Sequence, residues 1–156
     1  MPTISGAMSY LASGSFASCL ERIAKNNPSF TEGDLAGRGI GDDDAEQLAD
    51  ALEGNTALYW LSLPGNKIGH RGATKLAEKL KTNETIEYLN LGGNKIADGG
   101  ASDLAEMLQV NKSLKRLTLI NNNITNVGAI KLAEALQWSN STITDLYLDY
   151  NRGISE

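Results

Sequence analysis

The chain repeats itself every 28 residues, and that periodicity restricts its fold more than any other feature of the sequence. Four blocks follow one another without a gap: Asn27–Gly54, Asn55–Thr82, Asn83–Val110 and Asn111–Trp138. A fifth, incomplete block runs from Ser139 to Glu156 and carries one extra residue ahead of its pattern. Each block opens on a short alternating run: LYWLSLPGN from Leu58, IEYLNLGGN from Ile86, LKRLTLINN from Leu114 and ITDLYLDYN from Ile143. The first block is degenerate, reading FTEGDLAGR from Phe30, with Gly33 where the others place leucine and Arg38 where they place asparagine. Terminal repeats depart from consensus because one of their faces meets a different neighbour, and Arg38 in place of asparagine suits such an exposed terminal repeat.

Alternation predicts strands. Leu61/Leu63, Leu89/Leu91, Leu117/Leu119 and Leu146/Leu148 point to one side of an extended chain, and the residue between each pair points to the other. Ile68, Ile96 and Ile124 add a further apolar column after the turn. The period then changes to that of a helix: Ala73, Leu76, Ala77 and Leu80 fall at i, i+3, i+4 and i+7. Ala45/Leu48/Ala49/Leu52, Ala101/Leu104/Ala105/Leu108 and Ala129/Leu132/Ala133/Leu136 do the same. One repeat alone buries little, but stacked repeats share one core. The expected fold is an α/β solenoid, a right-handed horseshoe arc with a parallel β-sheet on the concave face and α-helices on the convex face.

Two columns of asparagine accompany the leucines. Asn66, Asn94, Asn122 and Asn151 stand where the chain leaves each strand and turns inward. The turn strands backbone groups in the interior, where an unpaired group costs about 1–3 kcal/mol. A carboxamide offers both donor and acceptor, so this column reads as a structural ladder. Asn27, Asn55, Asn83, Asn111 and Asn140 form a second column that closes the returning turn. Four asparagines match the glycosylation pattern: Asn83, Asn111, Asn123 and Asn140. Three of these belong to the turn-closing column and are expected to carry no glycan, leaving Asn123 as the exposed one.

The pattern LxxLxLxxN followed by GAxxLAexL resembles the ribonuclease-inhibitor-like class of leucine-rich repeats, and it is legible from Asn27 to Asn151. That class includes the ribonuclease inhibitor, the sensor regions of NOD-like receptors, Ran GTPase-activating proteins and several bacterial proteins delivered into host cells. The resemblance implies a protein-interaction scaffold that binds a macromolecular partner on its concave face. It leaves open a regulator of a partner enzyme, either a GTPase activator or an inhibitor, and a fragment of a larger receptor or effector.

Residues 1–26 read as an N-terminal segment and capping helix, and residues 27–156 as the repeat domain. Phe16, Cys19, Leu20, Ile23 and Ala24 have helical spacing, Ser15 suits the N-cap, and Asn26-Asn27-Pro28 stops the helix. After Ile154 no helical pattern follows. An open repeat would leave strand groups unpaired, so a piece of a longer chain, a naturally short protein and closure by self-association through this repeat all remain open.

Little in the sequence suggests chemistry, and no catalytic residue, metal ligand or cofactor is assigned. His70 is the single histidine and reads as a solvated residue at a helix start. Cys19 is the single cysteine and reads as core, which excludes an intrachain disulfide and favours a reducing compartment. Asp42-Asp43-Asp44 precede a helix, where acidic groups complement its dipole. Gly72, Gly100 and Gly128 sit at helix starts, where close packing is needed, and no Walker pattern is present. A GTPase activator projects a polar or cationic group onto its partner, for which Arg38, Arg71, Arg116 and Arg152 are the candidates. A net charge of −5 without a basic stripe argues against nucleic acid. No apolar run reaches 18 residues, and Met1–Gly14 lacks the basic and apolar regions of a secretory leader, so the chain reads as cytoplasmic, including host cytoplasm for an effector, with no membrane partner.

The candidate binding surface is the concave strand face. Trp60, Tyr88, Arg116 and Asp145, with Glu32, precede the first strand leucine; Ser62, Asn90, Thr118 and Tyr147, with Asp34, stand between the two. Ala36, Pro64, Gly92, Ile120 and Asp149 follow. Neighbouring strands lie about 4.8 Å apart, so Trp60 and Tyr88 are expected side by side and solvent-exposed, with Arg116 next and Tyr147 diagonally beyond. Aromatics and arginine are the types enriched in interface hot spots. Cross-strand packing alone is the competing explanation.

Overall fold

A computed structural model describes residues 14–138 and 142–155. Five three-residue strands form one sheet in sequence order, each parallel to the next: β1 (Glu32–Asp34), β2 (Trp60–Ser62), β3 (Tyr88–Asn90), β4 (Arg116–Thr118) and β5 (Asp145–Tyr147). The register follows the repeat: Leu61 pairs with Leu89, Leu89 with Leu117, and Leu117 with Leu146. Among the described residues five helices alternate with them: α1 (Phe16–Ala24), α2 (Asp42–Ala51), α3 (His70–Leu80), α4 (Ala97–Val110) and α5 (Asn126–Trp138). The chain is therefore an α/β solenoid with a leucine-rich-repeat architecture. The core lies between sheet and helices, and the paired leucines at 61, 63, 89, 91, 117 and 119 are fully buried.

Ser15 caps α1, its hydroxyl accepting from the Ser18 amide at 3.2 Å. The helix ends at Ala24, and Asn26 follows with φ of 48°. Cys19 and Ile23 are buried in the core, and burial pushes the Cys19 thiol above its ordinary pKa. Arg38 is half-buried rather than exposed, its guanidinium donating to the Gly14 carbonyl. The degenerate first repeat is thus tied to the segment ahead of α1.

Both asparagine columns bind backbone as their chemistry requires. The Asn94 amide group donates to Leu63 O at 3.0 Å and Leu91 O at 2.9 Å, while its Oδ1 accepts from Ile68 N at 3.0 Å. Asn66, Asn122 and Asn151 repeat this bridge, each joining two successive turns. In the second column Asn111 donates to Leu80 O and Asn83 O and accepts from Ser113 N and Leu114 N. Asn83 and Asn111 are buried, Asn123 is exposed, and Asn140 lies outside the described residues.

The helices pack as closely as their small residues allow. A β-carbon on Gly100 would lie 3.0 Å from Ala73 Cβ, and one on Gly128 would lie 3.0 Å from Ala101 Cβ. Only the last helix departs from its expected face: Ala133 is exposed and Ala129 and Leu136 are half-buried, while Leu132 and Ala135 are fully buried. In α4 the equivalent residues Ala101, Ala105 and Leu108 are covered by the following helix, and among the described residues no helix covers α5 on that side.

The acidic run at residues 42–44 does more than complement a dipole. Asp42 Oδ1 reaches across to the next repeat and accepts from Gly69 N at 2.7 Å and Gly72 N at 3.0 Å. Asp98 does the same two repeats later, accepting from Thr125 N at 2.8 Å and Gly128 N at 3.0 Å. Asp42 thus caps α3, whose N-cap Gly69 has no side chain to do so, and Asp98 adds to the cap of α5, where the Thr125 hydroxyl accepts from Val127 N at 3.2 Å. At the equivalent positions His70 and Asn126 break the series. Where His70 stands, no carboxylate reaches the next helix, and Ala97 at the start of α4 takes φ of 55°.

Candidate protein-binding face

On the open face of the sheet, strand register brings the first row of predicted residues into line. Trp60 pairs with Tyr88, Tyr88 with Arg116 and Arg116 with Asp145. The Trp60 and Tyr88 rings stack with centroids 5.3 Å apart and planes 11° from parallel. The Arg116 guanidinium lies 5.9 Å from the centroid of the Tyr88 ring and donates to Asp145 Oδ2 at 3.2 Å. The Thr144 hydroxyl bonds the same carboxylate and, together with Arg116, holds Asp145 below its ordinary pKa. The result is a continuous plate of two rings and a guanidinium that ends in an ion pair.

Stacking changes one expectation about this row. Trp60 and Tyr88 are half-buried, not freely exposed, because each covers a face of the other. In the second row Ser62 and Thr118 are only 5% and 8% exposed. Both are short side chains between strands on either side, so they offer a partner little surface. Asn90 is half-buried, its Oδ1 accepting from the Gly92 amide at 2.9 Å. Tyr147 pairs with Thr118 and is 38% exposed, placing its ring diagonally beyond Arg116.

Beside this plate, toward the turns, lies a trough of about 580 Å³. Asn90 and Thr118 border it, but its floor is Pro64, Gly92 and Ile120, and Tyr150 and Arg152 stand at one end. Neither Tyr150 nor its place in the trough was expected from the strand pattern. The available signal was a substitution in the turn, where DYNR at Asp149–Arg152 replaces the GGNK of Gly92–Lys95.

The remaining candidates for chemistry are engaged in the surface of the solenoid. His70 Nε2 lies 3.1 Å from Asp103 Oδ2 on the exposed helical side. Arg71 pairs with Asp43. Among the described residues no group of three or more His, Cys, Asp or Glu side chains is placed to hold a metal, and no helix is long and apolar enough to cross a membrane.

A family pattern described as a leucine-rich repeat matches residues 82–105 and 110–133. No curated protein sequence matches the chain. Among solved structures, the leiomodin-1 actin-binding site 2 domain superposes with a TM-score of 0.80 at 28% identity, over 85% of this chain and 78% of that one. The tropomodulin C-terminal domain of Caenorhabditis elegans gives a TM-score of 0.77 at 16% identity, over 86% of this chain and 83% of that one, which is a likeness of fold. The chain has a leucine-rich-repeat fold related to those of leiomodin and tropomodulin. Its architecture is that of a protein-interaction scaffold.

Proposed function

We propose that the scaffold binds an actin-like protein through the plate formed by Trp60, Tyr88 and Arg116. The observation that carries this reading is the stacked row itself, which presents three side chains of the hot-spot type in one rigid surface. Preorganisation matters because the rings lose little freedom on binding. The choice of partner class comes from the 28% identity to the actin-binding site 2 domain of leiomodin-1. The 28-residue repeat with its GAxxLAexL helix supports placement in the ribonuclease-inhibitor-like class, and the buried Cys19, the single cysteine of the chain, supports a reducing cytoplasm.

Titration of the purified chain with monomeric actin tests the reading. Trp60→Ala with Tyr88→Ala is expected to weaken binding by about 2 kcal/mol or more while circular dichroism stays unchanged. Absence of any actin binding would remove the partner, and an unchanged dissociation constant in the double variant would remove the face.

Self-association is a second reading, favoured by one observation. Val127 and Ile130 on α5 are 63% and 55% exposed. Sedimentation showing only monomer across a wide concentration range would exclude it.

A further inference from the structure

The second residue of every turn adopts the left-handed region, with φ of 62° at Gly37, 66° at Gly65, 66° at Gly93, 51° at Asn121 and 59° at Tyr150. Glycine enters this region freely and asparagine with modest difficulty, whereas a bulky residue there is an outlier. Gly93 also has little room for a side chain, since a β-carbon would lie 3.3 Å from the Gly65 amide. Tyr150 therefore occupies a position for which every other repeat selects a small or amide residue. Its strain is not offset by burial, because 81% of the residue is exposed. Strain retained without packing in return directs attention to binding.

The cations beside it show a second pattern. Two residues beyond Gly65, Gly93 and Tyr150, all of which line the trough, stand Lys67, Lys95 and Arg152. All three are exposed, and none forms an ion pair among the described residues. Elsewhere on the solenoid, Arg71, Lys79, Lys81, Lys115 and Arg116 are each paired with a carboxylate. The row is thus a local reserve of unpaired positive charge on a chain of net charge −5. Lys67 and Arg152 belong to turns three strand spacings apart, roughly 14 Å at about 4.8 Å per spacing. Four or five residues of extended chain cover that distance.

We propose that this trough takes an extended acidic segment of a protein partner carrying one large apolar side chain. The apolar group packs over Pro64, Gly92 and Ile120 against the Tyr150 ring, and the segment's carboxylates meet Lys67, Lys95 and Arg152. The inference rests on the reading of the sheet face as a protein-binding surface and assigns chemistry to the part of the partner that lies along its turn-side edge. The occupant is acidic because the only charged residue lining the trough is Arg152, and Lys67 and Lys95, two residues beyond the lining Gly65 and Gly93, form no ion pair among the described residues.

Selection of phage-displayed random peptides against the full chain tests this directly. Retained sequences are expected to be rich in Asp and Glu around a single Leu, Phe, Tyr or Trp. The best of them, labelled and followed by fluorescence anisotropy, should bind about tenfold more weakly to Tyr150→Gly and to Arg152→Glu, and should weaken as salt rises. Trp60→Ala with Tyr88→Ala should leave that affinity unchanged. Tyr150→Gly should melt no lower than the parent, since glycine suits the left-handed turn, so a loss of binding cannot be assigned to unfolding. Retention of no peptide, retention without an acidic excess, or binding that survives both substitutions would overturn the proposal. Actin binding that is lost in the Trp60/Tyr88 variant while no acidic peptide is retained would leave the sheet-face reading standing and remove this one.

Discussion

Asp98 Oδ1 accepts the Gly128 amide at 3.0 Å, and a β-carbon on Gly128 would lie only 2.7 Å from that same oxygen. Carboxylate and glycine are therefore one device: the absent side chain lets a cap from one repeat reach the helix start of the next. The hydroxyl and amide of Thr125 complete the set, at 2.7 and 2.8 Å.

Asp98→Ala is expected to lower stability by about 1–2 kcal/mol, the value of a lost cap together with the amides it leaves unpaired. The effect should depend on pH. The Thr125 hydroxyl is the main group holding the Asp98 carboxyl below its ordinary pKa, helped by the Thr125 and Gly128 amides and opposed by burial. A depressed pKa stabilises the folded state above the unfolded value, and that contribution disappears as pH falls through the folded value. Urea unfolding should show the advantage over Asp98→Asn shrinking as pH drops below about 4. An advantage constant down to strongly acidic pH would show that the carboxylate charge is not responsible.

Asn94→Ala should destabilise the chain by about 2–4 kcal/mol, because it leaves the Ile68 amide and shared carbonyls buried without their partner. Lys95→Ala, one residue past the ladder at an exposed site, should change stability by less than about 0.5 kcal/mol. Comparable losses in the two variants, measured by thermal unfolding, would contradict the ladder.

The Trp60–Tyr88 stack should contribute a coupling energy of about 0.5–1.5 kcal/mol in a double-mutant cycle of folding. Coupling near zero would mean that the rings lie together without reinforcing each other. The plate would then be less rigid than the binding argument requires.

Expression through a secretory pathway should leave Asn83 and Asn111 without glycans. Their side-chain oxygens accept from amides two and three residues ahead, and the residues are 8% and 3% exposed. Mass spectrometry of the tryptic peptides decides the matter, and a hexose-bearing peptide at either position would mean that the turn opens.

The sequence pattern made the sheet register, the leucine columns and both asparagine ladders legible, because each recurs at every repeat and its partner lies one period away. The Trp60–Tyr88–Arg116 row followed from the same arithmetic. Features that occur once or in alternate repeats were not legible. Asp42 and Asp98 read as acidic residues at their own helix starts, since nothing local shows that their partners are 27 and 30 residues ahead. Tyr150 looked like an ordinary turn residue until its backbone dihedral was known. The burial of Ser62 and Thr118 and the exposure of Ala133 both depend on what stands on either side, which a single repeat does not record.

The parallel sheet in strict chain order has a consequence for how the protein assembles. Every strand pairing closes a loop of about the same length, near 28 residues, so no contact must wait for distant parts of the chain to meet. Any two neighbouring repeats can nucleate, and the others join by the same step in either direction. A substitution that slows one junction delays growth past that point without blocking the rest, so folding rate and final stability should respond differently to changes in the first and the middle repeats.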